Sequence, residues 1–223
     1  MSTHLIRQSG HESRSEKTRT QLIEAAIEVI GAVGYEGAST RILARTANTA
    51  LSAIPYHFGG KRELYLAAAQ VIADYADSRF AEAASVLEVD GLAEASLRFE
   101  EALVKLLHIM LEDAEPASWA PFVARCCYDN DEAFALIFDQ AIAPLIEALV
   151  CAAGDFSSPS LDDDAVRLRI SSIVTAIISF RFLRGITLRS MDWEQFQTGC
   201  MGQIEAMVRE LCRGDFVTVR RSQ

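Results

Sequence analysis

The chain has 223 residues, 50% of them apolar, so it can bury a sizeable hydrophobic core. Few aromatic residues and abundant alanine favour helix over sheet. The net charge of −10 opposes DNA binding by the chain as a whole, but residues 1–62 hold eight Lys/Arg and five Asp/Glu, whereas residues 63–223 hold 13 and 26. Contact with nucleic acid is therefore expected only from the N-terminal part, with the acidic remainder pointing away from phosphate.

The cysteines and the apolar runs exclude several classes of protein. Five cysteines occur, and none has the spacing of a zinc ribbon or a thioredoxin-like CxxC pair. Residues 1–16 are polar and lack the apolar stretch of a secretion signal, and the run from Ile170 to Phe180 is too short to span a membrane. We therefore expect a cytoplasmic protein with reduced thiols and with no membrane partner, metal or cofactor.

The first predicted elements are a flexible arm over residues 1–16 and a helix that starts near Lys17. Thr18 and Gln21 have capping-box spacing at that start, and Gly34 ends the helix. Ser39 is the expected cap of a second helix.

The most informative stretch of the chain, Thr40 to Leu64, reads TRILARTANTALSAIPYHFGGKREL. It predicts a short helix over Thr40–Thr46, a tight joint and a second short segment over Ala50–His57, which is the arrangement of a helix-turn-helix. Asn48 suits the joint because asparagine tolerates the left-handed conformation. A long helix is expected from about Arg62 to Ser85.

The segment YHFGGKRELY, from Tyr56 to Tyr65, resembles the DNA-binding domain of the TetR family of bacterial transcription regulators, closest to the subgroup with a YHFGGK motif after the recognition helix. The resemblance covers about residues 17–66. It implies a homodimeric regulator and not an enzyme. In that reading the protein is a repressor that binds a palindromic DNA operator and is released by a small apolar or amphipathic effector.

Ten residues are expected at the DNA. They are Ser39, Thr40, Arg41, Ala50, Ser52, Ala53, Pro55, Tyr56, His57 and Lys61. The resemblance assigns phosphate contacts to the helix start at Thr40 and Arg41, to the Tyr56 hydroxyl and to Lys61. His57 either contacts phosphate or closes the helix end.

The recognition segment has two further features. Leu51 and Ile54 are expected to face inward, and Ser52 can reach a base edge. Pro55 removes an amide donor, so the segment is expected to be short, distorted or partly 3₁₀. The segment also has no Arg, Lys, Gln or Asn for bidentate base contacts, so base readout is expected to be sparse, with more weight on DNA shape and on the arm containing Arg7 and Arg14.

The rest of the chain predicts helices throughout, and we expect an all-α fold of about nine helices. The predicted parts are the arm (1–16), a three-helix DNA-binding domain (17–62), a larger effector-binding and dimerisation bundle (63–217) and a tail (218–223). Asn130 is expected to cap a helix, Pro144 to kink it and Asp162–Asp164 to start a long one.

Two sets of residues are candidates for the functions of the bundle. The effector-pocket candidates combine bulky apolar surface with a few polar tips; they are His108, Met110, Trp119, Phe122, Cys126, Tyr128, Phe134, Phe138 and Phe180. The dimer-interface candidates lie on the apolar faces of the last two long helices; they are Ile170, Ile173, Ile177, Phe196, Ile204, Met207 and Leu211. Both sets could instead form an intramolecular core.

Three alternative functions remain open at this point. The adjacent Cys126 and Cys127 could make the protein a thiol-based redox or electrophile sensor. Pro55 could mark a dimeric binding protein without DNA binding. A Cys126/His108 enzyme lacks a nucleophile motif and a third orienting residue.

Overall fold

A computed structural model describes residues 3–88, 94–112, 114–157, 161–196 and 198–216, and those ranges contain helices and no strand, as the all-α prediction requires. The helices are α1 (Thr3–Gly37), α2 (Thr40–Thr46), α3 (Ala53–Phe58), α4 (Lys61–Ala84), α5 (Ala95–Leu111), α6 (Trp119–Asp129), α7 (Glu132–Ile137), α8 (Ala143–Ala153), α9 (Asp163–Phe182), α10 (Arg184–Met191) and α11 (Thr198–Phe216). A 3₁₀ turn covers Ser85–Glu88, and a π turn covers Phe138–Ile142.

The chain forms two compact units that are not consecutive in sequence. Unit 1 consists of Met1–Asp74 and Glu115–Ile137, and unit 2 consists of Tyr75–Ala114 and Phe138–Gln223. This division differs from the predicted boundary at residues 62–63. The physical reason is that apolar side chains of α6 and α7 are buried in one core with those of α1 and α4.

The helix-turn-helix of unit 1 follows its local sequence signals. Gly34 breaks α1 with a φ of 78°, and the Ser39 side chain caps α2 by accepting a hydrogen bond from the amide of Ile42. Asn48 adopts the expected left-handed conformation with a φ of 51°. These signals fix the angle between α1 and α2 and the reversal after α2.

The short helix α3 begins three residues later than predicted. Because α3 starts at Ala53, Pro55 lies in its first turn, where the missing N–H has no helical acceptor. Ala50 ends the preceding turn by accepting a hydrogen bond from the amide of Ala53 at 2.9 Å. Pro55 is thus compatible with a regular short helix.

Unit 2 has its own apolar core, formed by α5, α8, α9 and α11 together with the last part of α4. Polar pairs between α5 and α11 add to it. Glu100 is buried and accepts hydrogen bonds from Arg213 at 3.0 and 3.2 Å. Arg209 pairs with Glu101 at 2.8 Å, and His108 pairs with Glu205 at 2.6 Å. These partners offset the cost of burying the Glu100 side chain.

Four interface candidates belong to this core, which corrects the dimer-interface prediction. Ile170, Ile173, Ile177 and Ile204 have at most 4% of their surface exposed within the single chain. Side chains buried in this way cannot contact a second copy, so the intramolecular alternative applies to them.

Several predicted boundaries also change. The helix α1 starts at Thr3, so the predicted arm is helical from that residue, and Thr18 donates its hydroxyl to the carbonyl of Arg14 instead of capping a helix start. Asn130 ends α6 in the left-handed conformation, and Asp131 caps α7 in its place. The helix α10 was missed, and the predicted tail 218–223 lies outside the described residues.

Two helices continue from one unit into the other. The first is α4, and the second is the helix Glu132–Ala153, in which α7 and α8 are joined by the π turn. The π turn precedes Pro144, the residue predicted to kink this helix. Glu132–Ala153 is apolar and long enough to cross a membrane, but Ala133 and Ile137 lie in the core of unit 1 and Leu145 and Leu149 in that of unit 2.

Candidate nucleic-acid interface

All ten predicted DNA contacts lie where a ligand can reach them. Ser39, Arg41, Ala50, Ser52, Pro55 and Tyr56 are exposed, and Thr40, Ala53, His57 and Lys61 are half-buried. The Tyr56 side chain is 75% exposed, so packing in a core does not explain it. The surface offers hydroxyl donors and cations, which are the groups that bind phosphate.

Sequence reasoning missed Arg45 and the exposure of Leu51 on this surface. A hollow of about 530 Å³ beside α2 and the joint that follows it is lined by Arg41, Ala44, Arg45, Asn48, Thr49, Ala50 and Leu51. Arg45 follows Arg41 by four residues, so the two guanidinium groups share one face of α2; this spacing was the available signal. Leu51 was predicted to face inward but is 50% exposed, because the chain enters α3 only at Ala53.

Lys61 stands at the start of α4 against an aromatic ring. Its Nζ lies 4.0 Å from the centroid of the Tyr35 ring, within the range of a cation–π interaction. The Tyr35 ring packs on Tyr65 with ring centroids 5.0 Å apart, and Tyr65 packs on Phe122 at 5.5 Å. We call the stacked side chains of Tyr35 and Tyr65, on which Lys61 rests, the aromatic ladder.

The hydroxyl at the inner end of the ladder is part of a buried polar network. Tyr65 donates to Asp131 Oδ2 at 2.6 Å, and its oxygen lies 3.1 Å from Cys126 Sγ. A phenol has a single proton, so the Cys126 thiol must donate to the Tyr65 oxygen. Burial, followed by the hydrogen bond to Asp131, raises the pKa of Tyr65 above its usual range, so the hydroxyl stays protonated.

Asp131 connects this network to the start of α7. Its other oxygen accepts hydrogen bonds from the amides of Ala133 at 3.0 Å and Phe134 at 3.1 Å. The neighbouring Glu132 forms an ion pair with Arg62 of α4. The first turns of α4 and α7 are therefore joined by two polar contacts in unit 1.

The predicted effector pocket is not formed by its nine candidates. Trp119, Phe122, Cys126 and Phe134 pack in or against the core of unit 1, whereas Met110 and Phe180 pack against that of unit 2. His108 lies in unit 2 and pairs with Glu205 at 2.6 Å, Tyr128 is 89% exposed, and Phe138 is exposed at the π turn.

Unit 2 instead has a cleft of about 320 Å³ that the sequence did not indicate. Its walls are the ends of α4 and α8, the 3₁₀ turn and the start of α5; it is lined by Ala84, Leu87, Glu88, Ala95, Arg98, Ala148, Cys151, Ala152 and Asp155. Alanines leave the space open because their side chains are too short to fill it. The lining is mainly apolar with three charged groups, so it suits an amphipathic molecule.

The structure opposes the thiol-sensor alternative at Cys126 and Cys127. Burial raises the pKa of the Cys126 thiol to about 12 and also raises that of Cys127. The thiolate is the reactive form, so both side chains are poor nucleophiles at neutral pH. Cys126 also pairs with Tyr65 rather than with His108, which lies in the other unit.

We therefore predict that native Cys126 resists alkylation. With iodoacetamide at pH 8, the exposed Cys151 should react first, and Cys126 only after unfolding. Peptide mass spectrometry of the labelled sites checks this order. Rapid labelling of Cys126 in the folded protein would show that the buried network opens readily.

The same burial gives a pH dependence of stability. The Cys126 pKa is raised in the folded chain above its ordinary value of 9.0, so its stabilising effect is complete below pH 9 and is lost as the pH rises toward 12. The loss is about 1.4 kcal/mol per pH unit in that window. Urea unfolding of Cys126→Ala should show a shallower alkaline decline than wild type.

Comparisons with known proteins agree with this geometry. Residues 95–214 match the family described as the C-terminal domain of the HTH-type transcriptional dual regulator CecR. Residues 22–68 match the family described as bacterial regulatory proteins, tetR family. The two matches together include the helix-turn-helix and most of unit 2.

Individual relatives extend over much of the chain. The HTH-type transcriptional dual regulator CecR of Shigella flexneri is 29% identical over 192 residues, which cover 82% of this chain and 84% of that protein. The HTH-type transcriptional repressor AcnR of Corynebacterium efficiens is 33% identical over 102 residues, 46% of this chain and 45% of that protein. A solved transcriptional regulator from Rhodococcus sp. Rha1 shares the fold with a TM-score of 0.61 at 18% identity, covering 89% of this chain and 98% of that one.

Proposed function

Because this chain belongs to the TetR family of DNA-binding transcription regulators, with a CecR-type C-terminal domain, we propose that it is an effector-controlled repressor. We place it in the subgroup with the YHFGGK motif, on residues 56–61. It acts in the cytoplasm, as a homodimer on a palindromic operator, and it has no catalytic role. The observation that carries the proposal is the exposed cationic and hydroxyl surface of α2, α3 and the start of α4.

The DNA contacts follow from that surface. Arg41 and Arg45 of α2 and Lys61 of α4 neutralise backbone phosphates, and the Tyr56 hydroxyl donates to another. The exposed face of α3 has only small or neutral groups for the bases, so shape readout dominates specificity. Selection of bound duplexes from a random pool tests this, and recovery of a palindrome is the expected result. A pool that shows no enrichment would contradict operator binding.

A dimer supplies the second helix-turn-helix that a palindrome requires. Apolar side chains remain exposed on the last three helices of unit 2 and at the bend between α9 and α10; they are Leu168, Leu183, Ile186, Met191, Met207 and Leu211. On α11, Gly199 and Gly202 face open space, so another helix can approach closely there. This surface replaces the buried isoleucines as the proposed interface, and it retains Met207 and Leu211 from the prediction, with Phe196 half-buried beside it.

The cleft of unit 2 is the proposed effector site. Its alanine-rich walls accept the apolar part of an amphipathic compound, and Arg98, Glu88 and Asp155 border its polar part. Ala84 ends α4, while Ala148 and Ala152 lie near the end of α8. The effector therefore contacts the far ends of the two helices that continue into unit 1.

Effector release acts through those two helices. Their near ends are joined in unit 1 by the Arg62–Glu132 and Tyr65–Asp131 contacts, next to Lys61. A compound that binds better when the far ends are apart favours a second arrangement of the two helices, in which their near ends also differ. DNA affinity then falls by at most the ratio of the compound's affinities for the two arrangements.

Filling the cleft should weaken the response to effector without weakening DNA binding. Ala152→Leu places a larger side chain in the cleft, so we expect DNA affinity to remain within about twofold of wild type while the response to effector falls by tenfold or more. The measurement is DNA binding by fluorescence anisotropy in the presence of compounds that lower wild-type affinity.

Ala81→Leu is the matched control, because Ala81 lies exposed on α4 and does not line the cleft. It should respond to the compounds like wild type. Equal responses of Ala152→Leu and wild type would place the effector site elsewhere.

A further inference from the structure

The position of Lys61 in unit 1 is set by its neighbours rather than by solvent. Its side chain is half-buried, and its ammonium group lies on the face of the Tyr35 ring. A ring contact holds the charge but accepts none of the three N–H bonds in a directional way, so these donors remain available for phosphate oxygens. The ring thus orients Lys61 without occupying its donors.

The Tyr35 ring is itself supported from the core. It is half-buried and packs on Tyr65, which is 4% exposed and lies between Tyr35 and Phe122. Tyr65 cannot slide along its neighbours, because its hydroxyl donates to Asp131 at 2.6 Å and accepts from Cys126. Asp131 is fixed in turn by the two amides of α7 that it caps.

We propose that Tyr35, Tyr65 and Asp131 are positioning residues that hold the Lys61 ammonium group in place for a DNA phosphate. The inference rests on the proposed DNA contact of Lys61. A free lysine side chain loses rotamer entropy when it is fixed. The ladder imposes part of that order before DNA arrives, so binding costs less.

A double-mutant cycle with Lys61 tests the inference, because a residue that acts only through Lys61 has no effect once Lys61 is removed. The variants are Tyr65→Phe, Lys61→Ala and their combination, and the probe is one mixed-sequence duplex at low salt. Tyr65→Phe is expected to lower affinity roughly threefold to tenfold, from coupling energies of this kind. In the Lys61→Ala background it should have no further effect.

A second cycle excludes a merely structural role. Arg41 lies on α2 and is not part of the ladder, so Tyr65→Phe and Arg41→Ala should have effects that multiply. If Tyr65→Phe merely loosened unit 1, it would lower affinity by the same factor in the Lys61→Ala and Arg41→Ala backgrounds. All affinities are measured well below the thermal transition of each variant.

Two further variants keep the inference falsifiable if Tyr65→Phe folds poorly. Tyr35→Leu removes the ring beneath Lys61, and Asp131→Asn leaves the Tyr65 hydroxyl without a carboxylate acceptor; each should show the same dependence on Lys61. If Lys61→Ala weakens binding but Tyr65→Phe, Tyr35→Leu and Asp131→Asn have no effect, or have effects that multiply with that of Lys61→Ala, the inference is wrong and the DNA contact stands. If the wild type ignores the duplex, or Lys61→Ala binds like it, the proposed contact fails, and the inference with it.

Discussion

Replacing Arg41 and Lys61 together by alanine should lower affinity for every duplex several-hundredfold. A dimer loses four cation–phosphate contacts, each worth roughly 1 kcal/mol, and 1.4 kcal/mol corresponds to a factor of ten. The slope of log K against log salt should become shallower by about four units, and by about two for Lys61→Ala alone, because each contact releases about one counterion. Anisotropy titrations over a salt series measure both quantities.

The control removes the same two charges from unit 2. Lys105 and Arg167 are exposed on α5 and α9, and neither is assigned to DNA or to the proposed dimer surface, so Lys105→Ala with Arg167→Ala changes net charge equally without touching the candidate interface. Its salt slope should stay within about one unit of wild type. Equal effects of the two double variants would show that DNA responds only to net charge, and the assigned contacts would be wrong.

Truncating Phe122 should disable DNA binding although this residue lies far along the chain from the helix-turn-helix. Its side chain has no exposed surface and packs on Tyr65 in the core of unit 1. Phe122→Ala should destabilise that unit by about 3–5 kcal/mol, the usual cost of such a cavity. Hydrogen exchange of peptides from residues 22–73 should accelerate, and DNA affinity should fall with the folded fraction.

Phe99→Ala is the matched control, because Phe99 is equally buried in unit 2. It should accelerate exchange in α5, α8 and α9 and leave peptides from residues 22–73 closer to wild type. Phe122→Ala could instead loosen unit 2 and spare residues 22–73. That result would show that α6 does not belong to the same core as the helix-turn-helix.

The sequence predicts most of the helix-turn-helix, because its determinants are local. Ser39 caps α2 through its own side chain, and Gly34 and Asn48 adopt conformations that few other residue types accept. The prediction that Leu51 faces inward was wrong for a related reason. Placing the helix start at Ala50 rather than Ala53 rotates the assigned inner face, and the first-turn position of Pro55 emerges only from the folded backbone.

The cleft and the aromatic ladder could not be predicted, because they depend on contacts between distant segments. Nothing local to Phe122 or Cys126 shows that α6 packs in unit 1, and an aromatic residue in an amphipathic helix fits a core and a pocket equally well. The same ambiguity led to Ile170 and Ile173 being assigned to an interface, although they lie in the core of unit 2. Tyr65 and Asp131 are 66 residues apart, and only the fold brings them together.

The most direct test of the proposed function is sedimentation of the purified protein with the duplex recovered by selection, at low and at high salt. We expect two chains per palindromic duplex, with binding that weakens steeply as salt increases. A strictly monomeric protein that sediments independently of every duplex at low salt would contradict it.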